Sequence, residues 1–311
     1  MNELSLPKVS VILPVFNDSQ CLELCLQALE IQTYSKNLYE VIVVDNGSKE
    51  SVEPIVKKFK QALISHEIYP GSYAARNKGI ALAQGEVLAF TDSDCIPMPD
   101  WIEKGIAKLL SVPDCGLVAG KIEVFFKEPN YPTSVELYDI LYAFPQKKYV
   151  EEYKFGVTAN LFTFKSVLEK VGGFNQALKS GGDYEWGWRV YSSGLKVIYA
   201  DDACVAHPAR RSFDELSKKV TRVIGGHYEL TKNKIYPQTK FILGSLGDLL
   251  LPFRCIPSVI FDKRVKGGKQ KLKLIGVIVK IRYIKGWTKL RLQMAGILAY
   301  ITNHLIVKPS K

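Results

Sequence analysis

Asp92 and Asp94, one residue apart in Phe90-Thr91-Asp92-Ser93-Asp94, carry the most informative chemistry in this 311-residue chain. They follow the apolar run Val87-Leu88-Ala89-Phe90, which reads as a short buried strand. In an extended segment, residues i and i+2 share a face, so both carboxylates are expected to aim at one target. Two anions that close repel unless a cation or several donors stand between them. A hard divalent ion carrying phosphates fits, since such ions are held by one or two carboxylates plus phosphate oxygens. An acidic turn with a capping Asp is the plainer alternative, and the pattern alone is common.

The elements before this pair give it a setting. Val9 to Leu13 reads as a buried strand stopped by Pro14, after which Asn17 or Asp18 can cap a helix. That helix has apolar positions Leu22, Cys25, Leu26 and Leu29 at helical spacing. A second strand, Val41-Ile42-Val43-Val44, ends in Asp45-Asn46-Gly47-Ser48. Both strands are apolar throughout, as parallel strands covered on two faces should be. Alternating strands and helices predict an open α/β sheet, in which ligands bind outside the carboxyl ends of the strands. Pro14, Asp45 and Asp92 all stand at such ends.

Gly71-Ser72-Tyr73-Ala74-Ala75-Arg76-Asn77-Lys78-Gly79 begins as a glycine turn and becomes an Ala-rich helix. A helix start beside strand ends is an anion site. Arg76 adds a bidentate phosphate partner, and Asp45 can accept from a ribose hydroxyl or a base N–H. Against this, Arg76 reads as a solvated charge and Asp45 as a turn former before Gly47.

Taken together, these residues resemble the family 2 inverting glycosyltransferases of the GT-A fold. The matching stretches are Val9–Asn17, Val41–Ser48, Ala75-Arg76-Asn77-x-Gly79 and Asp92-Ser93-Asp94. Further on come Phe155–Leu161, Gly172-Gly173-Phe174, Gly182–Arg189 and Val205-x-His207, so the resemblance covers roughly residues 8–210. It implies a Rossmann-like, open mixed sheet flanked by helices, a nucleotide-sugar donor (a UDP-sugar favoured), a divalent ion (Mn²⁺ or Mg²⁺) and an inverting single displacement. It places Pro14, Val15, Asn17, Asp45, Arg76, Asn77, Asp92 and Ser93 on the donor side. The metal falls to Asp94, Asp92 and His207.

The resemblance makes Asp183 the general base, where the residues alone give a helix N-cap or first-turn position. An inverting transfer needs one carboxylate to take the acceptor proton. The diphosphate leaves with the help of the metal, so the paired carboxylates of glycosidases are not required. Gly182 stands where many relatives have Glu. His207 is a lone histidine, more often structural by itself, and a legitimate third ligand in the family setting. Gly156 and Asn160, with Glu185 and Trp186, are expected on the acceptor side. Trp186 and Trp188 are weighed evenly between sugar stacking and core packing. No Gln-x-x-Arg-Trp motif follows Asp183, which favours one sugar per binding event over polymer extrusion. A sugar nucleotidyltransferase is the rival enzyme, but Pro14-Val15-Phe16-Asn17 lacks the glycine-rich loop of that class. A non-catalytic saccharide- or nucleotide-binding module is the other rival, opposed by joint retention of Asp92, Asp94, Asp183 and His207.

Composition bounds the rest. At 47% hydrophobic residues the chain is not disordered. Its six cysteines show no C-x-x-C pairing, and Met1–Pro7 has no apolar leader core, which fits a reduced cytoplasmic setting. Charge is uneven: Phe241–Lys311 holds 14 Lys/Arg against 2 Asp, whereas the remaining 28 Lys/Arg face 29 Asp/Glu. The expected domains are therefore a catalytic domain over 1–238 and a basic helical tail over 239–311. In the tail, Leu274, Val277, Ile278, Ile281, Ile284, Thr288, Leu292 and Ala295 fall on one helical side, flanked by Lys273, Lys280, Lys289 and Arg291. That pattern reads as an interfacial amphipathic helix. It predicts peripheral attachment to the anionic inner face of the cell membrane, with a packed helical cap as alternative and nucleic acid disfavoured. The run Phe241–Phe261 is interrupted by Asp248, Arg254 and two prolines, and is not expected to span a bilayer. The expected acceptor is a saccharide or a lipid-linked acceptor, in cell-surface polysaccharide or glycan synthesis.

Overall fold

A computed structural model describes residues 6–231 and 235–301, without side chains at 235–241, 252, 255 and 297–301. Residues 1–5 and the Cys255 side chain thus lie outside the described residues. In chain order the elements are β1 (Val9–Val15), α1 (Ser19–Glu30), β2 (Tyr39–Asp45), α2 (Glu53–Val56), β3 (Ala62–His66), α3 (Ser72–Leu82), β4 (Val87–Thr91), β5 (Ile96–Pro97), α4 (Trp101–Ser111), β6 (Cys115–Phe125), α5 (Ser134–Tyr142), α6 (Gln146–Tyr153), β7 (Asn160–Phe164), α7 (Lys165–Val171), α8 (Gly182–Ser192), β8 (Lys196–Pro208), α9 (Phe213–Thr231), α10 (Ile235–Leu250), α11 (Ile256–Ile260) and α12 (Gly268–Ile301).

The strands form one open sheet in the order β3-β2-β1-β4-β7-β6-β8-β5. β1 pairs in parallel with β2 and β4, and β2 with β3. β7 runs antiparallel to both β4 and β6, which makes the sheet mixed. The chain fills one side of β1 with β2 and β3, then returns to place β4 on the other. Such a reversal opens a crevice at the carboxyl ends of the strands. Both faces are covered: Val9, Val11, Leu13 and Val15 of β1 belong to one apolar cluster, while Ile12, Ile42, Leu88 and Phe90 belong to another.

β1 does not stop at Pro14, as expected, but continues to Val15, with Pro14 opposite Val44. Its pairing with β4 ends at Ile12, so a proline beyond that point interrupts no ladder on that side. β8 runs from Lys196 to Pro208 and carries His207 within the strand.

The chain divides into two compact units, Met1–Phe125 with Phe144–Pro208, and Phe126–Ala143 with Ala209–Lys311. The boundary drawn at 238/239 from charge therefore falls inside the second unit. This second unit begins at Ala209 and also takes in an excursion between β6 and α6. Within it, α5 starts with a reciprocal cap: Thr133 Oγ1 accepts from the Glu136 N–H at 3.1 Å, and Glu136 Oε2 from the Thr133 N–H at 2.7 Å. Buried Asp139 of α5 accepts from Arg210 Nη1 at 2.9 Å, tying the excursion to the segment after β8.

The tail helix corrects an expectation. Leu274, Ile278 and Ile281 of α12 are buried with Leu137, Leu216, Ile224 and Val259, and Val277, Ile284 and Leu292 pack against them. Thr288 is buried too, and only Ala295 at the far end of the face is exposed. This apolar face is core of the second unit and not a lipid-inserting surface. No helix among the described residues is long and apolar enough to cross a membrane.

Candidate active site at the strand ends

The Asp92–Asp94 segment is a turn, closed by the Cys95 N–H on the Asp92 carbonyl at 3.0 Å. The shared face expected of an extended segment is therefore lost, and each carboxylate has its own partner. Asp92 Oδ1 accepts from Nη2 of Arg76, which is 3% exposed on α3. Arg76 is therefore not the solvated surface charge of the alternative reading; it is buried against Asp92, its Nε without a hydrogen-bond partner. Ser93 Oγ donates to Asp18 Oδ2 at 3.0 Å, fastening the turn to the start of α1. Beneath the turn, burial and then the Asp94 charge hold the Cys25 and Cys95 thiols well above their ordinary range, hence neutral.

Asp94 faces His207. His207 Nε2 lies 3.3 Å from Asp94 Oδ2, with the imidazole 4% and the carboxylate 36% exposed. On the other side of the ring, His207 Nδ1 is 2.7 Å from the Pro208 carbonyl oxygen. A carbonyl only accepts, so Nδ1 bears a proton and Nε2 is the nitrogen turned to Asp94. An imidazole backed by a carbonyl on one nitrogen and facing a carboxylate with the other is the usual arrangement of a metal-ligating histidine. The donor set thus fits a divalent ion. It supplies two protein ligands: no group of three or more His, Cys, Asp or Glu side chains able to hold a metal occurs among the described residues.

Asp183 sits in the first turn of α8, not at its cap; the cap is Gly181, in the left-handed region at φ 83°. Thr158 Oγ1 donates to Asp183 Oδ1 at 2.9 Å. Burial pushes the Asp183 carboxyl above its ordinary 3.8; the Arg76 charge and the Thr158 hydroxyl pull it down, and the Asp92 charge pushes it up again. Asp183, Arg76 and Asp92 are thus one electrostatic unit across α8, α3 and the β4 turn. The helix start is fixed by Tyr73, whose hydroxyl oxygen accepts from the Gly182 N–H at 2.9 Å and the Asp183 N–H at 3.4 Å. Burial, then the Asp183 charge, keeps that phenol protonated. Gly182 now has a reason: a Cβ there would lie 2.7 Å from the Tyr73 ring. Tyr73 and Thr158 escaped the sequence reading, because Tyr73 meets its partners across 109 and 110 residues.

The first two strand ends are laced together. Asn17, with φ 52°, does not cap α1; neither does Asp18 through its side chain. Asn17 receives the Lys49 N–H on Oδ1 at 2.8 Å, and its own N–H goes to Ser48 Oγ at 2.8 Å. Asp45, 6% exposed, accepts the Ser48 N–H at 3.1 Å and has His66 Nδ1 at 3.6 Å from Oδ2. Val15 and Pro14 are buried in β1.

Several expected contact residues serve the scaffold instead. Asn77 trades two hydrogen bonds with the Phe174 backbone, at 2.7 and 2.9 Å. Asn160 is fully buried, donates to the Lys121 and Ala203 carbonyls at 2.7 and 2.8 Å, and accepts from Trp101 Nε1 at 2.9 Å. Both its N–H donors are spent and none of its surface is open to an acceptor. Trp186 is likewise 0% exposed, donates to the Gly172 carbonyl at 3.1 Å and packs on Phe174, which excludes sugar stacking. Trp188, by contrast, is 44% exposed. Glu185 is engaged by Arg189 at 2.7 and 3.0 Å, and Gly156 is packed where a Cβ would meet Ala119 at 2.4 Å.

An open mixed sheet with acidic residues at its strand ends defines a GT-A-type transferase architecture, and comparison with known proteins agrees. Residues 10–172 match the family described as Glycosyl transferase family 2. The chain belongs to that family and is a glycosyltransferase. It is 41% identical over 231 residues to Glycosyltransferase AglE of Haloferax volcanii, covering 73% of this chain and 75% of that one. Among solved structures, the fold is shared with a mannosyltransferase, PcManGT from Pyrobaculum calidifontis, in complex with GDP-Man and Mn²⁺. That match has TM-score 0.57 and 18% identity, over 96% of this chain and 76% of the other. It is shared also with S. aureus TarS 1-349 in complex with UDP, at TM-score 0.53 and 17% identity, over 88% and 90% of the two chains.

Proposed function

We propose that this glycosyltransferase moves one sugar per binding event from a nucleotide-sugar donor to a hydroxyl of a saccharide or lipid-linked acceptor, with inversion. Asp183 takes the acceptor proton while that oxygen bonds to C1 of the sugar and the bond from C1 to the diphosphate breaks. The observation that carries this reading is the Asp183 carboxyl at a helix start, hydrogen-bonded by Thr158, raised above its ordinary value by burial and electrostatically joined to the Asp92 turn through Arg76. A base is most effective when its pKa approaches the operating pH.

Asp94 and His207 would hold a divalent ion, Mn²⁺ or Mg²⁺, which neutralises charge on the departing diphosphate. Asp45 accepts from the ribose or the base, and Arg76 fixes the Asp92 carboxylate. Asp92 is left, at 34% exposure, to meet the donor. A UDP-sugar is the first donor to try and a GDP-sugar the second, since solved relatives carry UDP and GDP-Man. The second unit, with its excess of Lys and Arg, is proposed to hold the enzyme at an anionic membrane surface, the cytoplasmic face of the cell membrane.

A panel of nucleotide sugars, incubated with and without Mn²⁺, tests the reading. One donor should be hydrolysed slowly and only with metal. Given an acceptor, it should yield a product whose anomeric configuration, read by NMR, is opposite to the donor's. Retention of configuration would overturn the role of Asp183.

A further inference from the structure

With the amphipathic face of α12 spent on the core of the second unit, a membrane contact needs another surface. Exposed apolar side chains concentrate on the end of α10 and the segment that follows. Leu243, Leu246 and Leu250 recur at helical spacing and are 67%, 47% and 72% exposed. Leu251 and Phe253 follow at 57% and 58%, then Ile260 and Phe261 at 47% and 82%. Single exposed apolar residues are ordinary, but seven within nineteen residues of chain ask for a partner.

The charge around them says which partner. Residues 251–273 contain seven Lys/Arg and a single Asp, Asp262. Arg264 neutralises that Asp at 2.7 Å. Arg254, Lys263, Lys266, Lys269 and Lys273 remain exposed. Protruding Phe and Leu beside unpaired cations suit a bilayer: the rings enter the acyl boundary while ammonium groups stay with phosphate headgroups. An acidic protein would match the charge without accounting for Phe261, and nucleic acid would not call for the leucines.

We propose that the segment from Leu243 to Lys273 is the lipid-docking knuckle of this protein, inserting Leu250, Phe253 and Phe261 shallowly into an anionic leaflet. The proposal rests on the membrane reading above and replaces the α12 face as its site. Its binding is peripheral, and salt weakens it by screening the lysines.

The test is sedimentation of the full chain with vesicles of phosphatidylcholine containing phosphatidylglycerol, or of phosphatidylcholine alone. The variants are F253S/F261S and K266Q/K269Q, both at exposed positions, so melting temperatures should match the wild type. The wild type should pellet with anionic vesicles at low salt and stay in solution with neutral ones. Each Lys near such a surface contributes about 1 kcal/mol, or roughly fivefold in partition. K266Q/K269Q should therefore lose on the order of twentyfold, and F253S/F261S at least as much. If the wild type binds and both variants bind equally well, the knuckle is refuted while the membrane reading stands. If the folded wild type ignores anionic vesicles at low salt, both fall, whereas metal-dependent donor hydrolysis is untouched. A dimer dispersed by F253S/F261S, without lipid binding, would assign the patch to a second copy and overturn the proposal.

Discussion

The two charge centres of the site are held by opposite means. Asp94 keeps 36% of its surface in solvent and confronts a buried imidazole. Asp183 is likewise half-buried, but its surroundings raise its carboxyl, with desolvation the first cause, Thr158 donates to it and Tyr73 fixes its helix start. The contrast teaches that partners, more than exposure, separate the two centres. On the proposed roles, the carboxylate that faces an imidazole meets the cation and donor phosphates, and the one whose surroundings raise its pKa exchanges the proton.

The largest break in that contrast comes from Asp183→Asn. The variant should keep its fold, whereas a general base contributes about 10²–10⁴ in rate. Transfer should fall by that factor with donor affinity unchanged, as measured by initial rates beside calorimetric titration. Turnover near the wild type would show the two centres to be less specialised than proposed.

Asp94→Asn should act on the other centre. Loss of an outer-shell partner alone costs about 10–100-fold in metal affinity, and loss of a direct ligand should cost at least as much. Donor affinity measured with Mn²⁺ should drop accordingly, and hardly at all without metal. Equal affinity of variant and wild type with Mn²⁺ would remove the ion from this pair.

Thr158→Val sharpens the comparison through pH. The hydroxyl lowers the Asp183 pKa, so its removal should raise that pKa further and move the acid limb of the kcat profile to higher pH. A limb that stays in place would mean that another group controls it.

The smallest effect is on stability. The folded Asp183 carboxyl titrates above its ordinary 3.8, so between the two values the native state binds more protons than the unfolded one. Stability is then lost as pH rises through that window. Asp183→Asn should therefore melt at higher temperature than wild type at pH 7, and the difference should shrink toward pH 4. A variant that melts lower at pH 7 would contradict the desolvation.

A second comparison, between the units, shows what a sequence makes legible. In the first unit the continuous apolar runs of β1, β2 and β4 are long enough to be covered on both faces, and they are. Carboxylates placed directly after such runs must emerge at strand ends, so Asp45, Asp92 and Asp94 could be located from order alone. In the second unit, the repeat of Leu274, Ile278 and Ile281 states that one side of α12 is buried but not by what. A bilayer and a neighbouring helix are equally apolar, and the choice fell to α5 and α9, which bring Leu137, Leu216 and Ile224 to that face.

What the sequence by itself determined is the parallel α/β core, the acidic strand ends, Asp183 at the start of a helix and the excess charge of the C-terminal segment, because these depend on period and chain order. Only the tertiary structure decided that Asp92 turns to Arg76 and Asp94 to His207, that Asn77, Asn160 and Trp186 brace the scaffold, and that Phe126–Ala143 joins the second unit. Those outcomes rest on hydrogen bonds and packing between residues far apart in the chain, 97 positions for Asn77 and Phe174. A polar side chain has the same identity whether it faces a ligand or a buried carbonyl, and the fold alone sets which of the two it meets.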